Sequence, residues 1–435
     1  MTRKQIEALE PGGHAALVDA TKAYVADAIE PLALALKGTV VAVADWDAIV
    51  EMVATGKGRD ALPVGTQFGV PWSTTGTTKT DYPSMPWDVV HYKSNLVSGG
   101  ESAIPLMYLQ SHHCLPDGTQ FSASQAFAYL IDGLPAGTYN VTVPATYASR
   151  EAGDYQFTLA SAAPAGAQLA GFWKDGGVAA VTVFASQTAT TATETCAVTS
   201  GSAGTSLGSF SAAGVAVPAS GTPDTKQSVT IDGTTYEYYG LNSQQRVAYG
   251  NNRWLHSAVR QWLNASGDDW WEPQTVFDRP PSYVSHKGFL TYLDPELVAV
   301  MRPVVRKYAL NYGTDGGTSS APEYDTCADK VFLPTWEEHY LAVNSSYGGV
   351  AGQEGCGEAW DYWKAASGAS NPPAAGSTVT QYITTILGSG SAASVWVSSC
   401  LRYSGHYVAS VTSSGGCGNG GAYDGYRCAP ACAIG

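Results

Sequence analysis

Apolar residues recur at helical spacing in two segments near the start of the chain. Residues 14–35 are rich in Ala, with apolar positions three and four residues apart, and this spacing is typical of an amphipathic helix. Residues 45–53 repeat the pattern, and Asp45 can cap that helix because its side chain can accept a hydrogen bond from the first turn. We predict an N-terminal helical segment over residues 1–58 that serves oligomerisation or docking, since the first helix is too short to be stable without a partner.

Shorter runs, in which apolar and polar residues alternate, follow from residue 59 to about residue 218. Residues 137–143 (GTYNVTV) and residues 178–184 are the clearest examples, and alternation of this kind predicts half-buried strands. One helix is predicted within this region, at residues 122–130. We therefore expect a β-rich, sandwich-like middle domain over residues 59–218.

A stretch of Ala, Gly, Pro and Thr separates this region from the rest of the chain. Residues 212–226 carry little charge and show no periodicity, which is typical of a domain boundary. After the boundary, residues 228–239 predict a strand, and residues 252–264 predict a helix. Residues 297–310 predict a second helix that is interrupted at Pro303. We expect a final domain over residues 227–435, with a small antiparallel sheet flanked by two helices.

The composition limits the classes of partner. The 435 residues carry a net charge of −14 with a pI near 4.9, and Lys and Arg are scattered, which argues against nucleic acid or an anionic membrane as a partner.

No apolar run could span a bilayer, and the first residues lack the apolar core of a signal peptide. We therefore expect synthesis in a bacterial cytoplasm, without membrane insertion. The eight Cys do not make a disulfide framework in so long a chain and are expected to be free, mostly buried thiols.

The last segment, residues 396–435, differs in composition from the chain before it. It is rich in Tyr, Ser and Gly, and no Lys, Glu, Gln, Met or Trp follows Trp396. Tyr offers a large contact face with few torsions to freeze, while Ser, Gly and Asn adapt their hydrogen bonds, so the mixture is typical of an antibody paratope and unlike a packed core. The five missing types are also the ones that an Asn codon ending in C cannot give when its adenines are replaced. A low-complexity Gly/Ser tail is the alternative interpretation.

The order of motifs in this segment resembles a known variable region. Trp396-Val-Ser-Ser, a run rich in Tyr, Ser and Gly, and residues 427–434 (RCAPACAI) are similar to the variable region of target proteins of diversity-generating retroelements. Related sequences usually open Trp-Leu-Arg-Ser-Pro, and this chain departs from that opening. The resemblance implies a C-type-lectin-like domain over residues 227–435 with a variable region at about residues 396–435, and Trp396 and Ile434 are expected in its core.

The same resemblance implies a ligand-binding surface. In such proteins the run between the Trp strand and the final strand supplies the exposed face, and the retroelement rewrites it. The residues expected to bind a ligand are Leu401, Arg402, Tyr403, Ser404, His406, Tyr407, Ser410, Asn419, Tyr423, Asp424 and Tyr426.

Further motifs upstream resemble proteins of bacteriophage particles. WDAIVEMVATGKG, VGTQFGVP, PWDVVHY, LMYLQSHHC and the run FSASQAFAYLIDGLPAGTYNVTV are similar to a recurrent module of structural proteins in gut bacteriophages. Segments within residues 252–364 resemble an uncharacterised domain family of phage and gut-bacterial proteins. These resemblances imply a component of the virion.

Three groups of residues could bind a metal ion, but each lacks part of the necessary pattern. The groups are His112-His113-Cys114, Cys428 with Cys432, and Glu272-Pro273-Gln274. The first has no second group at a zinc-like spacing, the second is not a C-x2-C pair, and the third half-matches a calcium-lectin loop whose partner motif is missing. We expect no metal and no cofactor, and buried or structural roles for these side chains.

Clustered tryptophans could instead form a sugar-stacking groove, although such density is more often core packing. The residues in question are Trp254, Trp262, Trp270, Trp271, Trp360 and Trp363. We expect most of them in the core.

Taken together, these patterns predict an α+β chain that acts as a receptor-binding protein on the surface of a phage particle. Its expected partners are a host-cell surface receptor, protein or glycan, other virion proteins and further copies of itself, most plausibly as a trimer, because multivalency raises the avidity of weak sites. A purely structural head or tail protein is one alternative. An enzyme on the same fold, of formylglycine-generating or carbohydrate-active type, is another, but the chain has no P-loop or H-E-x-x-H motif, and we predict no catalytic residue.

Overall fold

The computed structural model describes most of the chain. The residues that it describes are 40–42, 45–73, 82–99, 102–130, 132–143, 153–171, 180–207, 211–212, 215–216, 226–231, 234–239, 246–312, 315–316, 318, 321, 323–341, 356–367 and 381–435. The predicted helix at residues 14–35 lies outside them, as does most of the predicted boundary at residues 212–226.

Among the described residues, more lie in β-strands than in helices, and the helices are few and short. The strands are β1 (Val40–Ala42), β2 (Gln67–Trp72), β3 (Tyr82–Asn95), β4 (Ile104–Ser111), β5 (Ala128–Leu130), β6 (Gly137–Val143), β7 (Gly153–Leu159), β8 (Ala167–Ala170), β9 (Ala180–Phe184), β10 (Glu194–Ala197), β11 (Thr199–Ser200), β12 (Thr205–Ser206), β13 (Ser211–Ala212), β14 (Val215–Ala216), β15 (Lys226–Ile231), β16 (Thr234–Tyr239), β17 (Val304–Ala309), β18 (Tyr324–Asp329), β19 (Val331–Phe332), β20 (Val395–Cys400), β21 (Tyr407–Val411), β22 (Cys417–Gly421) and β23 (Ala431–Ile434). The helices are α1 (Trp46–Ala54), α2 (Gly58–Ala61), α3 (Ala258–Leu263), α4 (Pro295–Val300), α5 (Asp361–Ser367) and α6 (Gln381–Thr384), with 3₁₀ turns at Trp254–His256 and Phe289–Thr291.

The predicted helix at residues 45–53 is confirmed as α1. The side chain of Asp45 accepts a hydrogen bond from the backbone N–H of Ala48 at 3.1 Å, as an N-cap should. Trp46 and Met52 are among the residues that the helix buries against the main core.

A six-stranded sheet joins distant parts of the sequence, in the order β1-β2-β3-β4-β23-β19. The C-terminal strand β23 pairs antiparallel with β4 on one side, where Ile434 lies opposite Met107, and with β19 on the other, where Cys432 lies opposite Val331. All four residues of β23 are buried, as expected of a strand with neighbours on both edges. Strands from the predicted middle and C-terminal domains therefore share one sheet and one core.

Two four-stranded sheets, β10-β9-β8-β5 and β11-β7-β6-β12, form a second β-rich unit. Both sheets contribute to one buried cluster, in which Phe157 of β7 and Val181 of β9 are fully or almost fully buried. The predicted strand at residues 137–143 is confirmed as β6, and the one at residues 178–184 is confirmed as β9 over its described part, Ala180–Phe184.

The helix predicted at residues 122–130 is wrong. This segment is extended and ends in β5. Its backbone N–H groups bind distant carbonyls, with Ala126 donating to Phe277 and Phe127 donating to Leu169. Those long-range hydrogen bonds replace the local ones that a helix needs.

The helix predicted at residues 297–310 is also wrong in its second half. Only α4 is helical there, and β17 follows it and pairs antiparallel with β18. Pro303 has no backbone N–H to continue the helix, and the β-branched Val304 and Val305 after it favour a strand. The predicted strand at residues 228–239 is two paired strands, β15 and β16. The predicted helix at residues 252–264 is confirmed in its second half as α3, which Ser257 caps.

Most of the clustered tryptophans lie in the core, as the sequence predicted. Of the six in question all but Trp271 are buried, and Trp360 and Trp363 are among the largest fully buried side chains. Trp396 and Ile434 are fully buried as well, as predicted. Within the residues that the structure describes, no helix is long and apolar enough to cross a membrane.

Candidate ligand-binding surface

The predicted variable region folds as a three-stranded antiparallel sheet in the order β20-β21-β22, followed by β23 of the large sheet. Trp396 of β20 anchors it, because its indole N–H donates to the carbonyl of Thr119 at 2.7 Å and its ring stacks on Tyr426 at 4.3 Å. The backbone N–H of Thr119 in turn donates to the carbonyl of Tyr426 at 2.6 Å. The segment is thus fixed to a loop nearly 300 residues earlier in the chain.

Two buried asparagines hold the loop between β20 and β21 by its main chain. The amide of Asn252 donates to the carbonyl of Ser404 at 2.7 Å and to that of Tyr407 at 3.0 Å. The amide of Asn311 donates to the carbonyl of Leu401 at 3.0 Å and also to that of Ser404. Because the acceptors are backbone atoms, these contacts do not depend on which side chains the loop carries.

A buried ion pair completes this support. Arg246 donates from Nε to the carbonyl of Gly405 at 2.8 Å and forms a two-pronged pair with Asp315 at 2.9 and 2.5 Å. Burial acts to raise the pKa of Asp315, but the charge and hydrogen bonds of Arg246 outweigh it and hold that pKa below its ordinary value. We call Arg246, Asn252, Asn311 and Asp315 the outer frame.

Five of the predicted ligand-binding residues are buried, so the expectation that they form an exposed face is wrong. They are Leu401, Arg402, Ser404, His406 and Ser410. Arg402 donates to the carbonyl of Thr318 at 2.9 Å, the hydroxyl of Ser404 lies 2.9 Å from Nδ1 of His406, and the ring of His406 stacks on Tyr249 at 4.6 Å. Composition suggested a surface here, but residues far away in the sequence cover these side chains.

The other six predicted residues reach the surface to different degrees. Tyr403 is 39% exposed, and Tyr407, Asn419, Tyr423, Asp424 and Tyr426 are half-buried. Burial raises the pKa of the Tyr403 hydroxyl, with a smaller effect of the neighbouring Tyr407.

Strand register and the positions of two glycines place four of these six residues on one or the other face of the sheet. Tyr407 lies opposite Gly421 and Ala409 lies opposite Asn419, so Tyr407 and Asn419 share a face, because residues two apart in a strand point the same way. A Cβ atom on Gly421 would lie 3.0 Å from the ring of Tyr423, which belongs to that same face.

Tyr426 lies on the opposite face. A Cβ atom on Gly420 would lie 2.8 Å from the ring of Tyr426, and adjacent strand positions point to opposite sides. That side carries the stacked Trp396. We define the tyrosine face as Tyr407, Asn419 and Tyr423 together with the exposed Tyr403 of the preceding loop, without Tyr426.

The glycines of β22 have a structural role that the sequence reading missed. Side chains at Gly420 or Gly421 would collide with the rings of Tyr426 and Tyr423. Three glycines in a five-residue strand are the signal that could have shown it, since glycine in a strand often marks close approach of another group.

An aromatic cavity of about 250 Å³ lies beside the same loops. Trp72, Trp262 and Tyr292 line it together with the exposed Asp117. Gly118 of this rim packs against the loop that precedes Tyr426, because a Cβ there would lie 2.5 Å from the carbonyl of Gly425.

The candidate metal ligands have other partners. Nδ1 of His112 lies 2.7 Å from the carboxylate of Asp88 and 3.0 Å from the amide of Gln67. Each of the eight cysteines is a buried free thiol, as predicted, and burial raises the pKa of Cys428 to about 12, which leaves it protonated at neutral pH. Among the described residues no group of three His, Cys, Asp or Glu could hold a metal ion.

Comparison with known proteins adds one similarity. Residues 231–435 match the family model described as "Domain of unknown function (DUF6273)". Neither a curated protein nor a solved structure matches the chain.

Proposed function

We propose that this protein is a receptor-binding protein of a bacteriophage particle, which presents the tyrosine face on a C-type-lectin-like scaffold. The observation that carries the proposal is the outer frame, in which Arg246, Asn252 and Asn311 bind the main chain of the loop between β20 and β21. A surface that changes from copy to copy needs a backbone that folds whatever its exposed side chains are.

The chemistry of the tyrosine face supports the same function. Tyrosine supplies broad contact area at low entropic cost, and asparagine supplies adaptable hydrogen bonds. Tyrosine is also enriched among the residues that dominate binding energy at protein interfaces. A host-surface protein or glycan is the proposed ligand.

The proposed setting follows from the resemblances to phage proteins. The chain is proposed to lie on the outside of the virion, attached to other virion proteins and assembled as a homo-oligomer, with a trimer favoured. Several copies on one particle would turn a weak single site into strong attachment. No catalytic residue, metal or cofactor enters this proposal.

Binding to cells tests the proposal directly. We expect a variant with Tyr403, Tyr407, Asn419 and Tyr423 all changed to Ala to stay folded and to lose adsorption to host bacteria. Tyr382→Ala is the matched control, because Tyr382 is 52% exposed and lies outside the tyrosine face. Unchanged adsorption by the folded quadruple variant would show that the binding surface lies elsewhere.

The genome offers a second test, of the variable nature of the segment. We expect an adenine-biased near-repeat of the coding sequence for residues 396–435 beside a reverse transcriptase gene.

If the protein were a purely structural head or tail protein, phage particles that carry the quadruple variant would behave differently. In that case the quadruple variant would leave host attachment intact, and removal of the whole protein would disturb assembly.

A further inference from the structure

A second cleft, of about 500 Å³, opens between the β-rich unit and the segment at residues 279–285. Its walls come from β8 and β9 on one side and from that segment on the other, with part of the loop at residues 120–124. The volume is within the range of small-molecule binding sites. None of the residues of the tyrosine face lines it.

Among the described residues that line this cleft, Arg279 is the only charged one. It is 8% exposed, and its guanidinium lies 3.4 Å from the centre of the Phe184 ring. Its hydrogen bonds go to neutral oxygens, namely the side-chain amide of Gln168 at 2.7 Å and the backbone carbonyls of Ser186, Gln187 and Ala189. Among the described residues, Nε of Arg279 has no partner, so a donor remains for a ligand.

The charge of Arg279 has no counter-ion within the described part of the chain. The neighbouring carboxylate of Asp278 is bound by the amide of Gln125 and by the backbone N–H groups of Gln274 and Thr275. Burial lowers the pKa of Arg279 to about 10, so it stays protonated at neutral pH. A buried cation without a counter-ion is costly, and an anionic ligand would offset that cost.

The rest of the lining matches a sugar rather than a bare anion. Hydroxyl groups come from Ser124, Thr182, Thr190, Ser282 and Ser285. The apolar part of the lining comes from alanine, proline, valine and phenylalanine side chains, against which the C–H groups of a pyranose ring can pack. Hydroxyls around apolar walls, with one fixed charge, give a site that can orient a polar ligand.

We propose that this cleft binds a saccharide that carries a carboxylate, with the carboxylate against Arg279 and the sugar hydroxyls against the serines and threonines. Arginine is well suited to this task, because its planar guanidinium matches a carboxylate in geometry. The site is separate from the tyrosine face, and it stands or falls independently of the receptor-binding function proposed above.

Glucuronate and glucose are the probes, because they differ only in oxidation at C6. In ligand-observed NMR titrations of the intact protein at low salt, we expect glucuronate to bind at least about tenfold more tightly than glucose, the size of effect given by a charged hydrogen bond. Acetate at the same concentrations should not bind. Equal binding of glucuronate and glucose, no binding of glucuronate, or binding of acetate as tight as that of glucuronate would each overturn the proposal.

Two variants locate the site. Arg279→Met removes the charge and should abolish the preference for glucuronate. Ser285→Trp fills the exposed rim and leaves Arg279 in place, so it should block glucuronate even if Arg279→Met fails to fold. Ser161→Trp, at an exposed serine of the same β-rich unit outside the cleft, is the control that should bind like the parent. Glucuronate binding that survives Ser285→Trp in a folded protein would contradict the assignment.

Discussion

Tyr426 lies flat on Trp396, with ring centroids 4.3 Å apart and ring planes 26° apart. The pair joins the loop before β23 to the buried anchor of β20. A residue predicted to contact a ligand therefore also holds the scaffold together, whereas Tyr403 is exposed and lies on the loop between β20 and β21.

The two tyrosines should respond differently to truncation. We expect Tyr426→Ala to lower the free energy of unfolding by about 1–3 kcal/mol, because it removes a stacked ring and leaves space beside Trp396. Tyr403→Ala should change it by no more than about 0.5 kcal/mol. Urea unfolding followed by Trp fluorescence measures both, and equal losses would show that the assignment of the two rings is wrong.

Asn311 of the outer frame and Asn419 of the tyrosine face form a second pair whose truncation should have different effects. Asn311→Ala should cost about 1–3 kcal/mol, because two buried carbonyls lose a donor. Asn419→Ala should cost about 0.5 kcal/mol or less, since Asn419 is half-buried and its side chain has no hydrogen-bond partner among the described residues. Chemical denaturation of both variants checks this, and a smaller loss for Asn311→Ala than for Asn419→Ala would contradict the role of the frame.

Two histidines whose pKa values are lowered by burial predict how stability depends on pH. Burial lowers the pKa of His339 to about 3 and, with help from the charge of Arg253, that of His256 to about 4, from an ordinary value of 6.5. Below pH 6.5 the unfolded chain takes up protons that the folded protein does not. Stability should therefore fall as pH falls from about 6.5 toward 4.

Substitution of one histidine tests this origin of the pH dependence. We expect His339→Gln to make the loss of stability between pH 7 and pH 5 shallower in urea titrations. His286→Gln, at an exposed histidine, should leave the slope as it is in the parent. A parent protein that is equally stable at both pH values would contradict the prediction.

The shared sheet predicts that the C-terminal half does not fold alone. Residues 227–435 lack β4, so β23 would lose one of its two neighbours and the core residues that β2 to β4 supply. We expect this fragment to show no cooperative unfolding transition, and co-expression with residues 1–226 to restore one. A cooperative transition in the isolated fragment, measured by near-ultraviolet circular dichroism, would show that β4 is dispensable.

Sequence patterns correctly predicted the helices and strands that depend only on neighbouring residues. The cap and apolar spacing of α1, and the alternation in β6 and β9, are properties of a few adjacent residues. The helix prediction for the second half of residues 297–310 was wrong because helical spacing was weighed above Pro303 and the two valines after it. The strand that these residues form is completed by pairing with β18, about 20 residues later. In the same way, β23 is a central strand only because distant partners flank it.

The position of the candidate site could be predicted from composition, but the burial of its individual side chains could not. The excess of Tyr, Ser and Gly drew attention to residues 396–435, and Tyr403 is exposed as expected. His406 is buried because Tyr249 stacks on it, and Arg402 because it binds the carbonyl of Thr318. No local sequence pattern predicts such contacts, because the partners are distant in the sequence. The contacts of the asparagines of the outer frame could not be predicted for the same reason.

The central claim is that the backbone of the variable segment is held from outside, so that its exposed side chains can change freely. Two libraries of the intact protein test it most directly, one randomised at the tyrosine face and the other at Arg246, Asn252, Asn311 and Asp315, with protease resistance measured for every member. We predict that most members of the first library resist proteolysis like the parent, while most members of the second do not. Equal loss of resistance in the two libraries would contradict the claim.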